Sequence, residues 1–442
     1  MMISETVNST ELKKTTTPLK RLITALIIGD LGAYIGLLTV GSILLTLRVN
    51  EIDPKGAITS YGLIAGIGSA VAIFSMPIGG FISDRIRLKF GKRKTIIVVG
   101  AIMGVLSLMG MAVSTNLLMV GAFNCLMAFG LNIAQAGYSA LLVDQVPESK
   151  RGTVSGLLGV LGMAGMLIGL VLMSVLTKSS NIGKFGLISA ILAIGTIIAC
   201  ILIKDTPAER RNLEKSREDK VQIGKVISSI YPSPRKYPAF TWAMLTRAFL
   251  TLAAMSTTYN AMMFIQRYHY TPEATTKFTA LVSFAGMPAM IIASLLGGFL
   301  SDKLRKQKVF IIFSAILAGS ALVVYAFAPN FTSILIATII LQFGYGLYTG
   351  VDLAMVSRIL PRKEDTAKDM GIMNIARTIP QTIVPFIVPL LLGIGSWSFV
   401  YCFLAVCGLL GALTVLPIPD ISRKTTDVGS NNNDNSLNIN IN

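Results

Sequence analysis

Long apolar segments are the feature that most restricts how this chain can fold. A bilayer has a hydrocarbon core about 30 Å thick, and an α-helix needs about 20 mostly apolar residues to cross it. We predict twelve such helices, at residues 19–47, 57–82, 95–113, 117–142, 154–176, 185–203, 237–265, 277–300, 309–327, 332–356, 371–393 and 397–416. Transmembrane β-strands would instead show short segments of alternating polarity, which the sequence lacks. The predicted fold class is therefore an all-α membrane protein with twelve transmembrane helices.

The composition supports lipid as the main solvent of this chain. Only 14% of its 442 residues are charged, whereas 53% are hydrophobic, and the mean hydropathy is +0.68. A soluble protein needs more charged residues than this to cover its surface. The lipid bilayer is thus the first predicted partner.

The formal net charge of +17 could suggest a nucleic-acid partner, but the placement of the basic residues gives another explanation. Of the 39 Lys and Arg residues, 31 fall in the tails, loops and adjoining helix ends of one side, and 6 fall in the loops and adjoining helix ends of the other side. Basic residues accumulate on the cytoplasmic side of membrane proteins. We therefore predict a multi-pass cell-membrane protein with both termini in the cytoplasm, and no nucleic-acid partner.

A short motif occurs twice. Residues 79–87 read GGFISDRIR and residues 297–305 read GGFLSDKLR, with an offset of 218 residues. Each copy closes an even-numbered predicted helix on the cytoplasmic side. Two parallel repeats of six helices explain the match, and transporters built this way bind their solute near the membrane midplane between the repeats.

The repeat predicts the organisation of the chain. A cytoplasmic N-terminal tail is followed by a six-helix half, a charged cytoplasmic linker, a second six-helix half and an Asn-rich tail that we predict to be disordered. The predicted bounds of these five parts are 1–18, 19–203, 204–236, 237–416 and 417–442.

The loop after the second predicted helix carries a recognisable pattern. It reads Ser83-Asp84-Arg85, then five residues, then Gly91-Lys92-Arg93-Lys94. This pattern resembles the signature loop of the major facilitator superfamily, and its five-residue spacer is similar to that of glycoside–pentoside–hexuronide:cation symporters and sucrose transporters. Gly29-Asp30-Leu31-Gly32 in helix 1 is similar to the former, and residues 371–381 in helix 11 are similar to the latter.

The resemblance covers residues 19–416 and implies two pseudo-symmetric six-helix bundles, with a cavity lined by helices 1, 4, 7 and 10. It also implies secondary active transport by alternating access, in which H⁺ or Na⁺ moves with a sugar, a glycoside or a similar small polar solute. Ser139 is a departure, because sucrose transporters carry an arginine near this position. A proton-coupled efflux carrier for drugs or metabolites is the alternative, and a transport-inactive sensor is a further one.

Two oppositely charged residues lie inside predicted helices, where a charge costs at least about 3 kcal/mol unless it finds a partner, water or a ligand. Adding the repeat offset to Asp30 in helix 1 leads to the neighbour of Arg247 in helix 7. We predict that Asp30 and Arg247 face one cavity as a cation-coupling pair, in which a proton or cation competes for the carboxylate. A purely structural ion pair is the alternative.

Other polar residues recur at helical spacing within the membrane, and such stripes must face other helices or water. Amides and carboxylates suit a polyhydroxylated solute, and tyrosine rings can stack on it. The predicted solute-binding residues are Tyr34, Asn132, Gln135, Gln342, Tyr345, Tyr348, Asp352, Asn374, Arg377 and Gln381. For each residue, hydrogen bonding between helices is the alternative role. Asp352 and Arg377 could equally form a cytoplasmic gate.

Charged residues at the cytoplasmic helix ends form a third group. By the family resemblance, they would latch the two halves together in one state and release them in the other. The predicted gating residues are Asp84, Arg85, Asp144, Arg151 and Asp302. Ordinary solvated charges are the alternative.

The sequence also lacks the patterns of other function classes. We find no Walker-type phosphate loop, metal-ligand cluster, nucleophile elbow or dinucleotide fingerprint. We therefore predict that the chain is no enzyme and uses no metal or cofactor beyond the transported H⁺ or Na⁺. Its predicted partners are the solute, the coupling cation and the bilayer, and we expect a monomer.

Overall fold

The structure is a computed structural model, and it describes residues 17–85, 91–204, 237–304, 306–359 and 366–418. The predicted tails and the predicted linker lie almost wholly outside these residues.

Twelve helices make up the described part of the chain, which contains no β-strand. In chain order they are α1 (Leu19–Ile52), α2 (Ala57–Arg85), α3 (Lys92–Val113), α4 (Leu117–Gln145), α5 (Glu148–Val175), α6 (Asn181–Leu202), α7 (Pro238–Tyr268), α8 (Pro272–Leu304), α9 (Gln307–Phe327), α10 (Phe331–Ile359), α11 (Thr366–Ile394) and α12 (Trp397–Val415). Eleven contain a segment long and apolar enough to cross a membrane, and α5 contributes the shorter apolar segment Val160–Val175.

The prediction of an all-α membrane protein with twelve helices is confirmed, although several helices are longer than their apolar segments. For example, α5 begins at Glu148 rather than at residue 154, and α2 continues to Arg85. Polar residues can extend a helix beyond the hydrocarbon, because the backbone closes its hydrogen bonds within the helix whatever the side chains are.

Side chains near the helix starts satisfy backbone N–H groups that no helical carbonyl reaches. Asn116 accepts a hydrogen bond from Met119 N at 2.9 Å before α4, and Ser180 accepts one from Gly183 N at 3.2 Å before α6. Before α2, Asp53 accepts from Gly56 N at 2.9 Å and from the Ser60 hydroxyl at 3.1 Å. The short connections between helices are therefore ordered by local hydrogen bonds.

Two helices change their winding part-way along. Within α1, Val40–Leu44 forms a π-helical turn, and within α7, Met255–Tyr259 forms a 3₁₀ turn. Such turns interrupt the regular hydrogen-bond pattern while most backbone groups keep partners, and they are frequent at functional positions. Both helices belong to the set that the family resemblance places around the cavity.

The described residues form two compact units. The first contains residues 17–204 together with Thr258–Phe284 and Thr382–Ile394, and the second contains residues 237–257, Ala285–Gln381 and residues 395–418.

In the first unit, α1 packs against α5 and α6, α3 packs against α4 and α6, and α2 packs against α4. Leu22, Leu26, Ile97 and Tyr138 belong to its buried core. The helices of the second unit repeat three of these contacts, since α7 packs against α12 and α9 packs against α10 and α12. The equivalent contacts support the parallel repeat that the sequence motif predicts.

The repeated glycine motif lies at close helix contacts in both units. A Cβ atom on Gly79 of α2 would lie 2.9 Å from the Cα atom of Ile133 on α4. A Cβ atom on Gly297 of α8 would lie 2.9 Å from the backbone oxygen of Leu347 on α10. Both glycines therefore allow two helices to approach closely, as small residues do at helix interfaces in membranes.

The adjacent glycines Gly79 and Gly80 allow a matched test of this contact. We expect Gly79→Ala to lower the unfolding temperature, because the new methyl group overlaps the α4 backbone. Gly80→Ala should leave the unfolding temperature unchanged or raise it, since a Cβ atom there meets nothing within 4 Å and alanine favours a helix by about 1 kcal/mol over glycine. Thermal unfolding of the purified protein in detergent measures the difference, and equal effects of both substitutions would contradict the assigned contact.

Candidate functional site

Asp30 is a buried carboxylate in the middle of α1. Asp30 is only 7% exposed, and its Oδ1 atom is buried without a hydrogen-bond partner. Among the described residues of its unit, no basic side chain forms an ion pair with Asp30. A buried carboxylate without a partner is costly unless it binds a proton, a cation or water.

The α4 helix brings one buried polar group next to Asp30 and carries a second one a turn away. Tyr138 Oη lies against Gly29, the residue before Asp30, and is close enough to the Asp30 carboxylate to interact with it electrostatically. Gln135 lies one turn before Tyr138, and its Nε2 atom is buried without a hydrogen-bond partner. We call Asp30, Gln135 and Tyr138 the Asp30 cluster.

The other predicted solute-binding residues of the first unit have weaker claims to a site. Asn132 donates a hydrogen bond to the Ala128 carbonyl of its own helix at 2.7 Å and is half-buried. Tyr34 packs against Gly162 and Gly165 of α5. Ser139, at the departure from the sucrose-transporter pattern, is exposed.

In the second unit, α7 and α10 bring Arg247, Asp352 and Tyr348 together. Arg247 donates to Asp352 Oδ2 from Nε at 3.0 Å and also from Nη2, and Tyr348 donates to Asp352 Oδ1 at 2.8 Å. All three residues are buried. We call them the Arg247 cluster. Each residue was a predicted site residue, but the sequence did not pair Arg247 with Asp352.

The other predicted solute-binding residues of this unit differ in their burial and in their contacts. The rings of Tyr345 and Tyr348 have centroids 6.0 Å apart, and Gln342 is half-buried against Gly286 of α8. Arg377 is exposed and Gln381 is half-buried. The side chain of Asn374 lies outside the described residues. The predicted coupling of Asp30 with Arg247 stays a prediction.

Of the predicted gating residues, Asp144 is the one whose side chain the structure describes. It accepts a hydrogen bond from Arg93 Nε at 2.8 Å, which forms an ion pair between the end of α4 and the start of α3. The side chains of Asp84, Arg85, Arg151 and Asp302 lie outside the described residues, so their role stays a prediction.

In the first unit, α2 makes a tight contact with α7 and α11 that was not among the predicted sites. Tyr259 donates a hydrogen bond to the Pro385 carbonyl at 3.0 Å, and its ring meets that of Tyr61 edge-on, with centroids 5.2 Å apart. Gly62 packs against Pro385 and Pro389, and Gly66 packs against the Phe386 ring. We call this contact the α2 seal. The Gly62–Gly66 spacing is the small-xxx-small pattern of close helix pairs, and it was the available sequence signal.

The family model described as Major Facilitator Superfamily matches residues 22–348 and 279–431. The chain belongs to the major facilitator superfamily. The superfamily predicted from the signature loop is thereby confirmed, and the chain is a transporter rather than an enzyme.

Individual relatives and solved structures are similar to this chain along most of its length. The cis,cis-muconate transport protein of Acinetobacter baylyi is 22% identical over 395 residues, which cover 88% of this chain and 94% of the relative. The crystal structure of a D-xylose–proton symporter matches with a TM-score of 0.68 at 14% identity, over 91% of this chain and 98% of that one. A POT family transporter in complex with a thioalcohol-conjugated peptide matches with a TM-score of 0.69 at 13% identity, over 89% and 94%. The structural likenesses show a shared transporter fold.

The close packing of Gly62 in the α2 seal can be tested by adding a methyl group at this position. We expect Gly62→Ala to separate α2 from α11, because its methyl group would overlap the Pro385 carbonyl and the Pro389 ring. Ala261 of α7 is only 1% exposed, so an Ala261→Cys probe should become reactive toward a membrane-impermeant maleimide when the contact opens. The background protein has its four native cysteines replaced by serine.

Gly121→Ala provides the control, because its Cβ atom would make an ordinary 3.5 Å contact with Ile64. Labelling of Ala261→Cys should stay low in that variant. Equal labelling rates in the Gly62→Ala and Gly121→Ala proteins would show that the glycine contact does not keep this region closed.

Proposed function

We propose that this protein is a proton-coupled symporter for a small polar solute, and that Asp30 is the residue that binds the coupling proton. The observation that carries this proposal is the buried Asp30 Oδ1 atom, which has no hydrogen-bond partner. A protein of this superfamily moves its solute without chemistry of its own, so concentrative transport needs a group whose occupancy by a cation changes during the cycle.

The surroundings of Asp30 favour a proton over a sodium ion. Sodium needs several oxygen ligands, as hard cations generally do. A proton needs only the carboxylate itself, and its binding removes the charge that makes burial costly.

The α4 residues of the Asp30 cluster provide partners for both forms of the carboxyl group. The amide nitrogen of Gln135 is a donor that can stabilise an ionised carboxylate, and the Tyr138 hydroxyl can donate or accept. Gln135 Nε2 is buried without a hydrogen-bond partner.

The solute class has two sources of support. The signature loop resembles that of glycoside symporters, and a D-xylose–proton symporter shares the fold, which together keep a sugar as the first candidate. The relative from Acinetobacter baylyi is a muconate transport protein, which favours a small organic acid as the second candidate. Both classes are small and polar, as the buried amide, carboxylate and tyrosine groups require.

We expect Asp30→Asn to abolish solute accumulation driven by an imposed proton gradient, because an amide cannot bind and release the proton at this site. Exchange of labelled for unlabelled solute across the same membrane should persist, since exchange needs no net proton movement. Proteoliposomes with imposed H⁺ or Na⁺ gradients measure both activities for a panel of labelled sugars and cis,cis-muconate.

Glu273→Gln is the matched control, because Glu273 is an exposed carboxylate at the start of α8. This variant should accumulate solute like the unmodified protein. Accumulation by the Asp30→Asn protein would rule out Asp30 as the coupling residue. Accumulation driven only by sodium would overturn proton coupling, and expulsion of a lipophilic cation without uptake of any solute would establish efflux.

A further inference from the structure

The Arg247 cluster holds a cationic group whose hydrogen-bonding capacity is only partly used. A guanidinium carries five N–H donors, one on Nε and two on each terminal nitrogen. Nε and Nη2 of Arg247 both donate to the same Asp352 oxygen, Oδ2. Nη1 is enclosed and has no hydrogen-bond partner. Nε and Nη2 therefore have Asp352 Oδ2 as their acceptor, whereas Nη1, on the opposite edge of the guanidinium, has no acceptor.

The acceptor side of the same ion pair is already occupied. Asp352 Oδ2 receives both contacts from Arg247, and Oδ1 accepts a hydrogen bond from Tyr348 at 2.8 Å. Nη1 makes no hydrogen bond to either Asp352 oxygen. Because unsatisfied buried donors are unfavourable, especially on a charged group, the edge that contains Nη1 needs an acceptor from elsewhere.

We propose that Arg247 binds a carboxylate group of the transported solute through this free edge, so that the solute class is a small organic acid. This inference rests on the proposed transport function and names its solute. Arginine suits the task because its planar donors match the two oxygens of a carboxylate, and such charge-assisted bonds are stronger than those of a neutral sugar hydroxyl.

The aromatic side chains near Arg247 would hold the rest of such a solute. Tyr345 and Tyr348 lie on the same helix as Asp352, and their ring centroids are 6.0 Å apart. Tyr345 is half-buried and lies within electrostatic range of both Arg247 and Asp352. A planar unsaturated acid can bind Arg247 through its carboxylate and pack its carbon skeleton against a tyrosine ring. Ligand sites generally combine apolar walls with a few polar groups in this way.

Asp352 competes with the solute for Arg247 in this arrangement. Both are carboxylates, and the guanidinium carries a single positive charge. Removing the charge of Asp352 should therefore strengthen acid binding, whereas removing the charge of Arg247 should weaken it. A purely structural ion pair predicts the same loss from either substitution, because each one leaves a buried charge without its partner.

The test uses the purified full-length protein in detergent and titrates it calorimetrically with cis,cis-muconate, and with D-xylose as a neutral probe. We expect muconate to bind the unmodified protein, and Arg247→Gln to weaken this binding about 10- to 100-fold, which is the range for losing a charge-assisted hydrogen bond. Asp352→Asn should bind muconate at least as tightly as the unmodified protein. D-xylose should show no dependence on Arg247.

Two further variants serve as controls. The double variant Arg247→Gln/Asp352→Asn leaves no unpaired charge in the cluster, so it tests acid binding even if Arg247→Gln alone does not fold, and it should fail to bind muconate. Arg267→Gln removes the same charge from the same helix, where Arg267 lies over the Tyr268 ring at 5.5 Å. It should bind muconate normally, which separates a direct contact from a general change of charge.

The outcomes separate this inference from the proposed function. If muconate does not bind the unmodified protein, or binds Arg247→Gln equally well, the acid assignment is wrong. The same holds if Asp352→Asn loses binding as Arg247→Gln does. Proton-driven uptake of D-xylose without muconate binding would overturn the acid assignment and leave proton coupling intact. Muconate binding without gradient-driven accumulation would support Arg247 as the acid site and overturn the symport proposal.

Discussion

Lipid cannot form hydrogen bonds, so every backbone N–H and C=O group in the membrane must find its partner within the protein. Among the described residues, twelve helices meet that requirement, and they do so even where the winding changes, as at Val40–Leu44 and Met255–Tyr259. Apolar side chains then cover the outside of the helices. Side chains such as Phe74, Leu295 and Phe299 are more than 60% exposed in the structure and are suited to contact with lipid tails.

The same constraint makes close helix packing important, because helices in lipid gain little from the hydrophobic effect when they associate. Glycines at helix crossings allow backbones to approach and side chains to interlock. Gly79 and Gly297 serve this purpose at equivalent places in the repeat, and Gly62 and Gly66 serve it in the α2 seal. Twelve buried side-chain nitrogen and oxygen atoms of the described residues lack a hydrogen-bond partner, and those on Asp30 and Arg247 belong to charged groups within membrane helices.

Two such places differ in their electrostatics. Asp30 is a lone buried carboxylate whose charge can be removed by a proton. In the Arg247 cluster the Asp352 carboxylate already neutralises the guanidinium, whose unpartnered Nη1 atom is the proposed contact for the solute carboxylate. A symporter needs one group that responds to the coupling ion and another that recognises the solute, and these two clusters have the properties for that division of roles.

The sequence by itself determined the number and order of the helices, the repeat and the superfamily, because each depends on local apolar length or on a contiguous motif. It also identified Asp30, Arg247, Tyr348 and Asp352 as polar residues inside the membrane. The tertiary structure decided their partners. Arg247 meets Asp352 across 105 residues of chain, and Tyr259 meets Pro385 across 126. A hydrogen bond forms only within about 3 Å, and the rotation and tilt that bring two helices to that distance depend on the packing of the whole bundle.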